Sequence, residues 1–243
     1  MKNSFSFRRF ASVALAAAGL MVLVASCKKG LDQGTPLPAS GLMVLNLSPD
    51  QNALGVALSG NLISNAPLGY TNFNGNYQNI YTGEREISVY DFLNDSVIAK
   101  SSFNFENNEL YSLFVTGNKG VYSPLVVKDE VDSTSSTEKA YVRFVNAIPD
   151  SSEPNVSVNA AGTKVFDGPA GFRTVSPFAE VNEGDVTIAV SGTSNINASR
   201  TIKLQKGWVY TALLVGDPAA TDSSRKVQIR YIQNGVVPAT SGK

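Results

Sequence analysis

The chain has 243 residues, with 20 Lys and Arg against 20 Asp and Glu, one cysteine and no histidine. Without histidine, and with one thiol, serine hydrolases of the usual triad type, cysteine proteases, histidine-ligated zinc hydrolases and most copper or haem sites each lose a required part. An intrachain disulfide is excluded too, so core burial alone must hold the fold; no cofactor or metal is expected, and without a basic stripe neither is nucleic acid.

In chain order the first element is an export signal. Lys2, Arg8 and Arg9 precede an apolar run over residues 10–24 that is too short to span a bilayer comfortably and too apolar for a surface helix. It ends in Val24-Ala25-Ser26-Cys27, which resembles the lipobox of bacterial lipoproteins. The resemblance implies that residues 1–26 are a signal peptide, cut just before Cys27, and that Cys27 is the lipidation site. Its thiol would carry diacylglycerol and its new amino group a fatty acid such as palmitate. Each buried methylene is worth about 0.8 kcal/mol, so two or three chains on one residue make an effectively permanent membrane anchor. Losing Lys2, Arg8 and Arg9 from 20 basic residues leaves 17 against 20 acidic ones, a slightly acidic mature protein. Residues 27–40, with Gly30, Gly34, Pro36 and Pro38, are expected to form a flexible tether reaching about 40 Å.

The remainder is an internal repeat. Met43-Val44-Leu45-Asn46-Leu47-Ser48-Pro49-Asp50 aligns with Arg143-Phe144-Val145-Asn146-Ala147-Ile148-Pro149-Asp150. Farther on, residues 77–89 align with 178–190, and Leu110-Tyr111-Ser112 and Gly117 with Val209-Tyr210-Thr211 and Gly216. Three blocks in the same order at nearly constant offset indicate two tandem domains rather than an array. They are placed at 41–129 and 140–234, joined by a polar linker at 130–139 and followed by a disordered tail at 235–243, and each is expected to fold independently.

Within each domain the apolar period is two. Val186, Ile188 and Val190 alternate with Asp185, Thr187 and Ala189, and Ile87 and Val89 with Glu86, Ser88 and Tyr90. The continuous runs 110–115 and 209–215 suit central strands covered on both faces. Turn signals such as Pro49-Asp50, Thr82-Gly83 and Glu183-Gly184 recur at short intervals. The fold expected is all-β: two tandem antiparallel β-sandwiches, immunoglobulin-like or transthyretin-like.

An opening strand with Asn-x-x-Pro-Asp, an aromatic-rich segment leading to Gly-acid and Ile-x-Val, then Tyr-Ser/Thr with a closing glycine, resembles the domain-of-unknown-function family 4397 (DUF4397). Val142-Arg143-Phe144 and Ser48-Pro49-Asp50 keep two of its features. Residues 54–58 and 155–158 lack the acid of its Asp-Val-Tyr-Val strand. The resemblance implies exported envelope proteins, lipoproteins of Bacteroidetes-type bacteria among them, and brings no activity with it.

Candidate sites compete with structural roles. Asp50 and Asp150 follow prolines and fit turns, with Asn46 and Asn146 bonding loop backbone. Nothing in the spacing of Glu84, Glu86, Asp91 and Asp95 sets two carboxylates across a cleft as glycoside hydrolysis needs. Asp129, Glu130 and Asp132 lack the pattern of a calcium loop and read as the solvated start of the linker. Tyr70, Phe73 and Tyr81, among amides, form the candidate ligand surface, while Tyr77 falls opposite Phe178 and reads as a core ring. The function expected is a non-catalytic, lipid-anchored module of the outer membrane, at its periplasmic face or the cell surface, that binds an envelope protein or glycan or serves a structural role. The alternative is a carboxylate-dependent enzyme acting on an envelope or extracellular polysaccharide.

Overall fold

The computed structural model describes residues 37–63, 66–131, 135–150, 152–193 and 195–237. Cys27, its signal peptide and most of the tether lie outside the described residues. The first domain contains β1 (Ala39–Asn46), β2 (Leu54–Leu58), β3 (Asn61–Leu62), β4 (Gln78–Tyr81), β5 (Gly83–Asp91), β6 (Ser96–Phe105), β7 (Leu110–Asn118) and β8 (Val121–Lys128). The second repeats them as β9 (Ala140–Asn146), β10 (Asn155–Ala160), β11 (Thr163–Pro169), β12 (Ala179–Val181), β13 (Gly184–Ser191), β14 (Asn197–Leu204), β15 (Trp208–Val215) and β16 (Gln228–Val236). The sheet orders are duplicated as well: β3-β2-β5-β6 and β4-β1-β7-β8 in the first domain, β11-β10-β13-β14 and β12-β9-β15-β16 in the second. Neighbours run antiparallel except β1 with β7 and β9 with β15, one parallel pair per domain.

Hydrogen bonds repeat with the strands. Asn46 Nδ2 donates to Leu68 O at 3.0 Å while its Oδ1 accepts from Ser48 N–H; Asn146 does the same with Ala170 O at 2.8 Å and Ile148 N–H. Both amides are buried, and each clamps the loop after its strand to a distant segment. The Tyr111 and Tyr210 hydroxyls accept from Glu106 N–H and Gln205 N–H, both at 3.1 Å. Gly117 and Gly216 close the seventh strand of each domain at φ +115° and +120°. A Cβ there would stand 2.0 Å from Val121 O or 2.4 Å from Lys226 O, so no other residue fits.

Each sandwich has its own apolar core, Leu42, Val44, Val56, Ile87, Val89 and Leu113 in the first, Val142, Phe144, Val156, Ile188, Ala212 and Leu214 in the second. A third cluster belongs to both. Met43, Leu45, Leu47 and Phe114 on the outer face of one sheet meet Val145, Ala147, Leu213, Val215 and Ile232 on the outer face of the other. This explains the continuous runs in β7 and β15: one face packs within the sandwich and the other against the neighbouring domain. Full burial of each large side chain contributes roughly 1.5–3 kcal/mol, so separating the domains would expose a core and not a polar rim. The described residues from Pro38 onwards accordingly form one compact unit, a coupling that the polar segment between the domains does not announce.

Two boundaries also move. β16 runs to Val236 and Val237 is buried, its N–H on Gly207 O, so the second domain continues past Asn234. Asp129, expected as the solvated start of a linker, is buried instead, because an arginine from the other domain meets it.

Candidate functional site

Met43 and Arg143 occupy the same place in their first strands, pointing out of the sandwich towards the other domain. In the first domain that place is apolar; in the second it carries a cation that needs a partner. Arg143 Nη1 lies 2.6 Å from Asp129 Oδ1, with the two side chains 1% and 3% exposed. Oδ1 has that ion contact and no aligned hydrogen bond. Arg143 Nε donates to Thr211 Oγ1 at 3.0 Å and Nη2 to Ser112 Oγ at 2.9 Å. Asp129 Oδ2 accepts from Ser112 Oγ at 2.7 Å and from the Tyr77 hydroxyl at 2.5 Å. The Thr211 hydroxyl donates to Asn234 Oδ1 at 2.7 Å, and the Phe178 ring centre lies 4.3 Å from the guanidinium. Burial, reinforced by the Asp129 charge, pushes the Tyr77 hydroxyl far above the ordinary tyrosine range, so it remains a donor. Arg143, Asp129, Ser112 and Thr211 are buried and the network joins the domains, which makes it architecture rather than a reaction centre.

The open feature lies beside it. A cleft of about 590 Å³ runs along six consecutive residues of β16, Arg230 to Gly235, with Phe73, Gly75 and Asn76 of the first domain as one wall and Arg200 and Trp208 as the other. Its lining holds two arginines and no carboxylate. Arg230 Nε donates to Gln228 Oε1 at 2.8 Å, and Arg200 Nη1 to Ile229 O at 2.9 Å with its guanidinium 5.0 Å from the Tyr231 ring centre. Among the described residues neither arginine has an acidic partner.

The candidate aromatic surface is divided. Phe73 bridges Leu45 and packs on the shared core, where it lines the cleft. Tyr70 packs on the same core beneath Arg225, 4.7 Å from its ring centre, and burial pushes its hydroxyl up to about 12. Tyr81 pairs with Ala39 at the opposite end of β1, about 20 Å from the Leu45 position at strand rise, and is 62% exposed. Tyr77 is the interior ring that its alignment with Phe178 implies.

The candidate acids have local work. Asp50 accepts from Lys119 N–H and the Tyr122 hydroxyl, at 2.6 and 2.7 Å, and Asp150 from Ser152 N–H at 2.6 Å. Glu86 pairs with Lys100 at 2.9 Å; Asp91 caps the β5–β6 turn through Leu93 N–H and Asn94. Asp95 sits at positive φ in that turn, and Glu84 on an exposed stretch of β5. Of the calcium candidates, Asp132 lies outside the described residues and Asp129 faces Arg143. No group of three or more histidines, cysteines or acids suited to a metal occurs among the described residues. Arg200, Trp208, Arg230 and Gln233 were not singled out from sequence. The signal available there was an Arg-Tyr-Ile-Gln-Asn strand carrying exposed cations and amides, with the chain's one tryptophan just upstream.

Fold and hydrogen-bond repeats define a duplicated β-sandwich protein whose halves are joined through a common core. The sequence pattern of the domain of unknown function DUF4397 matches residues 40–153 and again 140–243, and the chain belongs to that family. No curated protein matches it. Among solved structures, the TIE protein of Bacillus anthracis is 9% identical at a TM-score of 0.26, covering 74% of this chain and 34% of that one. This chain thus spans about a third of that protein's length. A structure described as alpha-glucan recognition by family 41 carbohydrate-binding modules from streptococcal virulence factors is 8% identical at 0.24, covering 81% of this chain and 97% of that one. At these TM-scores neither likeness bears on ligand or mechanism.

Proposed function

We propose that this protein is a non-catalytic binding module, anchored through lipid on Cys27 in the outer membrane of a bacterial envelope, whose paired sandwiches present one recognition surface to an envelope partner. The observation that carries the reading is the cleft along β16: open, lined from both domains, and supplied with cations and amides but no acid. Duplication supports it, since the copies keep the buried amides and tyrosines of the framework while the cleft residues differ. Several candidate acids are already engaged, Asp50, Asp150 and Asp91 in turns, Glu86 in a surface pair and Asp129 in a buried bridge. Asp50, Asp91 and Glu86 have such partners at 2.5–2.9 Å.

The anchor is tested by metabolic labelling with a fatty-acid analogue: label is expected on the wild type and absent from an uncut Cys27→Ala precursor. Protease shaving of intact cells then distinguishes the periplasmic face from the cell surface. Purified protein is expected to turn over no polysaccharide or peptide. Turnover that disappears when one acid is neutralised, with folding intact, would overturn the reading.

A further inference from the structure

β16 is the last strand of its sheet, and its backbone polarity can be worked out. Ala147 N–H takes Leu214 O, so the Leu214 peptide groups face β9. Leu214 stands opposite Ile229 across the β15–β16 pair, so Ile229 faces away from the sheet. The Arg200 guanidinium on Ile229 O agrees with this. By alternation Tyr231 and Gln233 also direct N–H and C=O outward, before the irregularity opposite Val209 and Tyr210. β16 has one strand neighbour, and among the described residues nothing bonds these Tyr231 and Gln233 groups. The matching edge of the first domain is blunted by Pro124 in β8, the residue opposite Val115 as Ile229 is opposite Leu214. β16 has no proline.

The rings of the cleft are already engaged. Tyr231 lies against Arg200, Phe73 packs on the shared core and Trp208 on the second sandwich's core. Each ring therefore already has a packing partner, and the cleft offers a ligand a row of backbone donors and acceptors flanked by two guanidinium groups that have no acidic partner among the described residues. We propose that the β16 edge receives an extended acidic segment of a partner protein as an added antiparallel or parallel strand, with Arg200 and Arg230 pairing its carboxylates. Backbone bonds supply affinity in this mode, and alternate side chains specificity. The inference rests on reading the chain as a binding module and names the partner's chemistry.

The test uses the full chain, purified in detergent, to select from a displayed library of random twelve-residue peptides. Acidic peptides of strand-forming residues are expected to be enriched, and the synthetic winner should weaken at least tenfold on N-methylation of alternate amides. Gln233→Pro removes one outward N–H that the sheet does not use. It should abolish binding with the thermal midpoint unchanged. The double variant Arg200→Glu with Arg230→Glu keeps the backbone and should weaken binding tenfold or more, which keeps the test decisive if the proline variant misfolds. No enrichment, enrichment of basic peptides, binding unchanged in both variants, or binding of polygalacturonate in place of peptides would each overturn the inference. Those results leave the wider binding reading standing, whereas turnover of a polymer would remove both.

Discussion

Replacing Arg143 by methionine, the residue its equivalent position holds in the first domain, removes the cation that faces Asp129. The carboxylate, 3% exposed, would keep among the described residues the Ser112 and Tyr77 hydroxyls, at 2.7 and 2.5 Å. Breaking a buried pair by deleting one partner costs about 3–5 kcal/mol because the remaining charge has no solvent to return to. Arg143→Met should therefore lower unfolding stability by that amount. Pairing it with Asp129→Asn removes the orphaned charge while keeping an acceptor for the hydroxyls, and should restore stability to within about 2 kcal/mol of the wild type. Urea titration followed by fluorescence and by far-UV circular dichroism measures both. The one tryptophan, Trp208, reports the second domain and circular dichroism reports both, so a common core predicts coincident transitions. A loss below about 1 kcal/mol for the single variant, a double variant no better than the single, or separate wild-type transitions would refute the reasoning.

Gly216→Ala and Gly117→Ala place a Cβ against carbonyl oxygens at positive φ and should each destabilise by at least about 2 kcal/mol, whereas Gly60→Ala, at φ +85° with open space, should lose only about 1, as read by thermal melts. Asn46→Ala and Asn146→Ala each leave a buried carbonyl and N–H unmet, with an expected loss of about 1–3 kcal/mol each in urea. Alkaline stability should fall from pH 10 upwards. Tyr70 ionises near pH 10 when unfolded but only at about 12 when folded, and Tyr77 is shifted the same way, so the folded state holds protons that the unfolded state releases. Stability is then fully present below pH 10 and declines by about 1.4 kcal/mol per pH unit for each tyrosine across that window. Denaturation series at pH 9, 10 and 11 check the slope, and a flat profile would contradict it.

Most of the fold was legible because a sandwich writes itself as period-two alternation, and a duplication supplies a second reading of every strand. Two tandem all-β halves, Tyr77 as an interior ring and double cover for residues 110–115 and 209–215 all followed from that pattern. The second cover was not assigned, because Met43, Leu45 and Phe114 read equally well as core of their own domain. The Arg143–Asp129 pair was hidden for a similar reason: the two residues are close in sequence, yet the segment between them is polar, and a charge facing inwards carries no mark in sequence. The cleft was missed because strand edges are a property of sheet order. Tyr70, Phe73 and Tyr81 drew attention through ring and amide composition, yet the β1 register sends Phe73 and Tyr81 to opposite ends of a strand.

The proposed role is tested most directly by a photo-crosslinking residue at position 233 in intact cells, compared with one at Thr187 on the exposed face of the outer sheet of the second domain. A protein adduct forming at 233, lost when Arg200 and Arg230 are both changed to glutamate, and absent at 187 is the result expected. Equal adducts at both positions, an adduct indifferent to the two arginines, or none at either would contradict the account.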